Sequence, residues 1–218
     1  MLRRPVPSVT QYASPSLIAA ISYGGHPRRD DPRWRETGAP TLDAYEAWSV
    51  RWCGMACLRM ALLARDGTAP TLYELATGAA GFGAYVDDPG APEGLIYRPF
   101  VAYAAAHHAL DAETITRLDG DRLRAELDRG HLVIASVHPE IRRPWIDPPH
   151  RGGHLVLVTH HDESSVTLHD PAGHTPEAVV ATLGLDVFAR FSAGRGIALH
   201  LGGRTEATPY ATVPTTRA

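Results

Sequence analysis

The segment from Cys53 to Arg65 most strongly constrains the fold of this chain. Its sequence, CGMACLRMALLAR, predicts a helix that ends before Gly67, with Pro70 beyond it. Apolar side chains surround nearly the whole circumference of this predicted helix, and a helix that is apolar on most sides is a buried one. We therefore expect other elements to enclose this helix in the core of the protein.

Helical patterns dominate the chain before residue 130, and strand patterns dominate after it. Further helices are predicted over residues 71–77, 99–110 and 119–129. Strands are predicted over residues 132–137, 155–159, 165–169 and 197–201, with one helix near 185–191 before the last strand. Helices followed by a mostly antiparallel sheet predict an α+β fold.

The two ends of the chain differ from this central region. Residues 1–47 are rich in Pro, Gly, Arg and Asp and show little periodicity. This composition predicts an irregular N-terminal arm that wraps the domain or is partly disordered. Residues 48–201 are then expected to form one folded domain, and residues 202–218 an unstructured tail.

Composition excludes several classes of function. A net charge of −3 and an isoelectric point near 6.4 provide no basic surface for nucleic acid. No apolar run approaches the roughly 20 residues of a membrane span, and we expect no signal peptide, so a cytoplasmic location is predicted. The sequence contains no Lys, which excludes Schiff-base chemistry and a phosphate-loop lysine.

The only two cysteines, Cys53 and Cys57, lie four residues apart at the start of the predicted buried helix. A disulfide between them would be strained, and a cytoplasmic protein keeps its thiols reduced. A zinc site would need a second closely spaced ligand pair, and the adjacent histidines 107–108 and 160–161 do not converge on one ion. We therefore expect no metal or other cofactor, which leaves packing and nucleophilic catalysis as the alternatives.

The positions of the two cysteines favour different roles. Cys57 lies one turn inside an apolar helix, where a free cysteine packs as a small apolar residue. Cys53 begins the helix, where unpaired N–H groups and a partial positive charge favour the nucleophilic thiolate form of a cysteine. Gly54 follows it and is expected to leave room for a substrate. Cys53 is therefore the candidate nucleophile.

A cysteine nucleophile needs an imidazole, which in turn needs an orienting group. His154 follows Gly152–Gly153 and opens a predicted strand, where it either pairs with Cys53 or caps the strand without a catalytic role. Asp170 ends the next predicted strand, and a hairpin turn over residues 162–164 would return it to His154. The less well placed alternatives are His160, Asp162 and His169.

Three motifs occur together in this chain: Cys53-Gly54-x-x-Cys57-Leu58-x-Met60, then Gly153-His154 at the start of an apolar strand, then Asp170-Pro171. In this combination the chain resembles the papain-like bacterial cysteine peptidases of the C39 type, which remove double-glycine leaders from bacteriocin precursors, and their stand-alone relatives. The resemblance runs from about Cys53 to Leu201. It implies a papain-like fold, a peptide substrate, and a triad of Cys53, His154 and Asp170.

The chain departs from that family at one position. The family carries a Gln about six residues before the nucleophile, whose amide contributes to the oxyanion hole, and this chain has Ala47 there. Its only Gln is Gln11. We hypothesise that residues near 13–46 are an insertion and that the arm returns Gln11 to the site as an oxyanion donor. The alternatives are a weak or inactive peptide-binding module, or another thiol-dependent amide hydrolase or acyltransferase.

Overall fold

The fold is described from a computed structural model, which covers residues 5–86 and 94–202. These residues form eight α-helices and six β-strands. The helices are α1 (Ile18–Tyr23), α2 (Leu42–Ser49), α3 (Cys53–Asp66), α4 (Leu72–Gly81), α5 (Tyr97–His108), α6 (Gly120–Asp128), α7 (Pro176–Val179) and α8 (Leu185–Phe191). The strands are β1 (Asp111–Ile115), β2 (Leu132–Val137), β3 (His154–His161), β4 (Ser165–His169), β5 (Val180–Gly184) and β6 (Ser192–His200).

The strands form one sheet with the order β1-β6-β2-β3-β4-β5. Every pair of neighbouring strands is antiparallel. Ile134 and Leu157 contribute to the core cluster shared with α3, whereas Val133 and Val158 contribute to a second cluster with α6 and α8. Helices thus cover both faces of the central strands, which explains why all six residues of β2 are buried.

Helix α3 matches the predicted buried helix to within one residue at its end. Side chains on most sides of it are buried, as the circumferential apolar pattern predicts. It ends at Gly67, which adopts the left-handed conformation (φ 80°) common after helices. The helix packs on the sheet beside β3, where the Cys57 Sγ lies 3.8 Å from the Leu155 carbonyl oxygen.

The predicted α+β class is confirmed, with a cysteine-bearing helix packed on an antiparallel sheet. Two strands without a sequence signal, β1 and β5, lie at the two edges of the sheet. Their residues are mostly exposed or half-buried, so they lack the apolar runs that mark the central strands. An edge strand pairs on one side only and needs less apolar sequence.

The N-terminal arm is more ordered than its composition predicts. Within residues 5–47 it contains α1, most of α2 and short 3₁₀ turns. Asp31 is the polar centre of this arm, because its carboxylate accepts hydrogen bonds from the Ser14 hydroxyl (2.6 Å) and the Tyr45 hydroxyl (2.7 Å). These polar contacts join residues 14 to 17 positions apart and follow no hydrophobic periodicity, so the sequence contains no pattern that predicts them.

Two expectations concern the limits of the folded domain. The predicted unstructured tail falls, from residue 203 onward, outside the described residues, and the domain boundary near residue 47 stays a prediction. None of the helices in the described part of the chain combines the length and the apolar character that crossing a membrane requires.

Candidate active site

The candidate nucleophile Cys53 is the first residue of α3. Its N-cap residue, Trp52, forms no side-chain hydrogen bond to the helix, so no capping side chain occupies the N–H groups at this end. The thiol is free and the residue is only partly buried. Cys53 therefore combines access to solvent with the positive end of a helix, two features typical of nucleophilic cysteines.

His154 is the first residue of β3 and contacts the Cys53 thiol. The chain reaches it through Gly152 and Gly153, whose φ angles of 83° and 97° lie in the region that favours glycine. The Nε2 atom of the ring is bound to Asp170, which leaves Nδ1 for the thiol. The glycine pair thus sets the direction from which the imidazole enters the site.

Asp170 follows β4 directly and lies beside His154. The predicted hairpin is present, with its turn at Asp162, whose backbone N–H donates to the Ser165 carbonyl oxygen. The Oδ1 atom of Asp170 lies 2.6 Å from His154 Nε2 and also accepts the Ala172 backbone N–H at 2.7 Å. The hairpin therefore brings the two predicted residues, 16 positions apart, into direct contact.

Burial and charge together set the pKa values of this pair. Burial lowers the pKa of His154, but the charge of Asp170 and hydrogen bonds to Asp170 and Cys53 raise it to about 9. Burial raises the pKa of Asp170, but the positive charges of His154 and Arg142 outweigh that effect and lower it. At neutral pH the pair is therefore an imidazolium beside a carboxylate.

Arg142 is a buried charge in this cluster that the sequence interpretation did not identify. It ends a 3₁₀ turn (Pro139–Arg142) after β2, and its side chain is 5% exposed. Its Nε lies 3.2 Å from Asp170 Oδ2, in an ion pair whose two atoms have no hydrogen-bond partner in the described parts of the chain. The turn that delivers Arg142 follows no periodic pattern, so the sequence offered no signal for it.

Cys57 has a different environment from Cys53. It is fully buried, and burial, followed by the nearby Cys53 and Asp170, raises the pKa of its thiol well above the ordinary value. A neutral buried thiol is a poor nucleophile. The environment of Cys57 therefore agrees with the packing role predicted for it.

Gly54 has a packing role that differs from the predicted one. A Cβ atom at this position would lie 2.7 Å from Leu95 Cδ2 and 3.0 Å from Leu155 Cδ1. The expectation that Gly54 leaves room for a substrate is therefore wrong, because two leucine side chains occupy that space. The missing side chain instead lets Leu95 close over the first turn of α3.

A family model and a solved structure show what this chain resembles. The model described as Peptidase_C39 like family matches residues 35–192, which is more than half of the chain. This chain belongs to the peptidase C39-like family. That membership agrees with the papain-like fold predicted from the sequence and with the packing of α3 on the sheet.

Among solved structures, this C39-like chain is similar to the peptidase domain of Streptococcus ComA, described as a bifunctional ABC transporter involved in a quorum-sensing pathway. The TM-score is 0.45 at 15% identity, and the match covers 68% of this chain and 90% of that one. No curated protein sequence matches this chain significantly.

Gln11 lies outside the region that the family model matches, whereas Ala47 lies within it. The structure nevertheless places Gln11 between two segments of the site. Its backbone N–H donates to the Pro171 carbonyl oxygen at 2.8 Å, and its side-chain amide donates to the Ser49 carbonyl oxygen at 3.2 Å. Pro171 follows Asp170, and Ser49 precedes Cys53 by four positions, so the arm brings Gln11 to the neighbourhood of α3.

One group of side chains in the described residues has the composition of a metal site. Ligand atoms of Glu126, His131 and His200 lie within 4.8 Å of one another, at the end of the sheet opposite His154. Arg122 and Arg129 also contact Glu126 Oε1, at 2.8 and 2.6 Å. Because these two guanidinium groups already balance the carboxylate charge, the group is better described as an ion-pair network than as a cation site.

Proposed function

We propose that this chain is a cysteine peptidase that cleaves a peptide amide through Cys53, His154 and Asp170. The observation that carries the proposal is the position of His154, which contacts the Cys53 thiol on one side and Asp170 Oδ1, at 2.6 Å, on the other. Membership of the peptidase C39-like family supports an activity on peptides. The predicted cytoplasmic location remains part of this proposal.

The chemistry would proceed through a thioester. The Cys53 thiolate attacks the carbonyl carbon of the amide, and the carbonyl electrons move onto the oxygen. The carbon–nitrogen bond then breaks, and the leaving amine takes its proton from His154 Nδ1. Water attacks the thioester with His154 now accepting a proton, and the carbon–sulfur bond breaks to release the acid and the thiol. Asp170 holds the imidazole in place throughout.

The developing negative oxygen needs hydrogen-bond donors. The backbone N–H of Cys53, at the start of α3, is one candidate donor. We propose Gln11 as the second, because one of its two amide N–H bonds goes to Ser49 and the other remains for a substrate.

A second candidate function is peptide binding without cleavage. The observation that favours it is Ala47, which stands in the family's oxyanion position while Gln11 lies outside the matched region. A different thiol-dependent acyl transfer on the same residues is the remaining alternative. These possibilities differ in whether Cys53 reacts and in whether a peptide is cut.

Labelling with iodoacetamide tests the assignment of the nucleophile. The wild type, Cys53→Ala and Cys57→Ala form a matched set, because each variant keeps one of the only two thiols. The wild type and Cys57→Ala should be alkylated at similar rates, and Cys53→Ala should react about 100-fold more slowly because its remaining thiol is buried. Intact-mass spectrometry measures these rates.

Peptide cleavage separates the catalytic from the binding alternative. The wild type should generate new amino termini in a mixed peptide library, detected by mass spectrometry, and Cys53→Ala and His154→Gln should generate none. Equal alkylation of all three proteins in the labelling experiment would refute Cys53 as the nucleophile. Fast alkylation of Cys53 without any cleavage would instead support the binding module.

A further inference from the structure

A group of polar side chains next to the triad has no part in the chemistry described above. It consists of Tyr97, Ser136 and Arg195, which come from three separate elements: the start of α5, β2 and β6. Gly152, two residues before His154, borders the same space. We call this group the Arg195 subsite.

Strand alternation places Ser136 on the face of the sheet that α3 covers, because Ser136 is two residues from Ile134, which belongs to the core cluster that includes α3. Arg195 lies where the register between β2 and β6 shifts, so its place beside Ser136 follows from the approach of both side chains to Gly152. Ser136 is also adjacent to Val137, which pairs with His154. The subsite therefore lies at the triad end of the sheet.

Gly152 shows how close the polar groups are to one another. A Cβ atom built on Gly152 would lie 3.4 Å from both Arg195 Nη2 and Ser136 Oγ. Burial raises the pKa of Tyr97, and Ser136 and Arg195 lie close enough to its hydroxyl to offset part of that rise. A hydroxyl, a phenol and a guanidinium thus converge beside the glycine pair that leads into His154.

The chemistry of this group suits an anion. Burial raises the pKa of Tyr97 and outweighs its contacts with Ser136 and Arg195, so the phenol keeps its proton and is a donor at neutral pH. Arg195 is exposed and takes part in none of the ion pairs formed by the described residues. Arginine presents a planar fork of donors that matches a carboxylate.

We propose that the Arg195 subsite binds a carboxylate of the substrate, so that the enzyme selects peptides with a negative charge close to the scissile amide. This inference rests on the proposed function, since it assigns a specificity to the same cleft. The carboxylate has two possible sources: an acidic side chain near the cleavage position, or the carboxyl terminus of a short peptide. The experiments below distinguish these sources.

The first experiment compares two alkylating reagents of nearly equal size, iodoacetate and iodoacetamide. The carboxylate of iodoacetate is attracted to Arg195 as it approaches Cys53, whereas the amide is not. The ratio of the iodoacetate rate to the iodoacetamide rate should fall about 3- to 10-fold in Arg195→Gln. This is the effect expected when one positive charge attracts a carboxylate several ångströms away through partly solvated space. It should fall further in Arg195→Glu and stay near the wild-type value in Arg195→Lys.

Arg124→Gln is the control, because it removes the same charge from a half-buried site on α6, where Arg124 pairs with Asp121. Its rate ratio should equal that of the wild type. An unchanged ratio in both Arg195→Gln and Arg195→Glu would overturn the proposal. Failure of the proposed function has a different signature: the wild type would then cut no peptide, whether or not Cys53 reacts with iodoacetamide, and this result does not depend on the rate ratio.

The second experiment does not depend on catalysis. The affinity of Cys53→Ala is measured for four fluorescent peptide mixtures. Two mixtures keep every Asp and Glu and two replace them by Asn and Gln, and each kind is made with a free and with an amidated carboxyl terminus. The acidic mixtures should bind about 3- to 10-fold more tightly, and Arg195→Gln should abolish the difference. If affinity depends on Asp and Glu, the subsite recognises an acidic side chain. If affinity depends on the free terminus, the subsite recognises the carboxyl group at the end of the peptide. Equal binding of all four mixtures would refute the subsite.

Discussion

Cys53 and Cys57 are separated by one turn of the same helix, yet their surroundings give them different chemistry. Cys53 begins α3 and contacts His154, whereas Cys57 is enclosed beneath β3 and its thiol pKa is raised by burial. The same residue type is therefore a candidate nucleophile at one position and a core side chain at the other. At this scale, exposure and neighbouring charge decide function.

The charges around His154 predict the shape of the pH–activity profile. Activity should fall as the pH rises through about 9, where His154 loses the proton that it donates to the leaving amine. Asp170→Asn removes the charge that raises the pKa of His154, so the alkaline limb of kcat/KM should move down by about 1 to 3 pH units. Cleavage rates measured between pH 5 and pH 10.5 check this.

Arg142 provides a control, because its removal should shift the alkaline limb in the opposite direction. Its charge lowers the pKa of His154, so Arg142→Met should move the alkaline limb to higher pH, and Arg142→Lys should restore the wild-type limb. A merely structural effect of these substitutions would reduce activity without moving the limb. Limbs that move in the same direction in Asp170→Asn and Arg142→Met would contradict this electrostatic description.

At the scale of elements, the arm and α3 meet at Gln11. The arm is held by the Asp31 carboxylate, which binds the backbone N–H and the hydroxyl of Ser14 and the hydroxyl of Tyr45. Gln11 then links the arm to the end of α2 and to the loop after β4. The arm thus closes one side of the site, although it is distant from the triad in sequence.

Gln11→Ala should reduce the rate of peptide cleavage by about 10² to 10³, the usual effect of losing one oxyanion donor. Alkylation of Cys53 by iodoacetamide forms no oxyanion, so its rate should stay unchanged in the same variant. This pair of measurements separates a donor from a residue that only holds the arm in place. Full cleavage activity in Gln11→Ala would eliminate the proposed role.

Asp31→Ala extends the same test to the whole arm. Removing the carboxylate leaves the buried Ser14 and Tyr45 groups without their acceptor, so thermal stability and cleavage should both decline. Circular dichroism confirms that the variant stays folded. We expect a smaller loss of cleavage than in Gln11→Ala, because Gln11 keeps its other contacts.

At the scale of the whole molecule, the site is built where the helical part meets the sheet. α3 supplies the proposed nucleophile Cys53, β3 supplies His154, and the segment after β4 supplies Asp170. His154 and Asp170 are almost fully buried, at 6% and 2% exposure, so their ion pair contributes to the stability of the fold as well as to the site.

This coupling predicts a specific pH dependence of stability. The pKa of His154 rises from an unfolded value near 6.5 to about 9 on folding. Its contribution to the free energy of unfolding is therefore complete below pH 6.5 and disappears as the pH rises through 9. The pKa of Asp170 is lowered, so its contribution is present above its unfolded value and disappears as the pH falls. The difference in unfolding free energy between the wild type and His154→Gln should shrink by roughly 3 kcal/mol from pH 6 to pH 10.

Urea unfolding at several pH values measures this difference. Comparison with His154→Gln removes the contributions of other groups that titrate in the same range. A stability difference that stays constant from pH 6 to pH 10 would show that His154 has the same pKa in the folded and unfolded states.

The sequence by itself determined the elements with strong periodic signals and the order in which they follow. The buried helix, the strands 132–137 and 165–169, and the turn at Asp162 follow from apolar patterning and turn chemistry, which act between near neighbours. The same local reasoning selected Cys53, His154 and Asp170, because helix ends, strand starts and hairpin ends are readable positions.

Only the tertiary structure decided what depends on contacts between distant segments. It placed the weakly patterned edge strands, brought Arg142 to Asp170 and closed Leu95 over Gly54. It also determined which groups Gln11 binds, whereas the return of Gln11 toward α3 was already expected from the resemblance to the family. Such contacts arise from packing and charge in three dimensions, and no spacing along the chain encodes them. For this reason the proximity of His154 to Asp170 was predictable, while the positions of Arg142 and Leu95 were not.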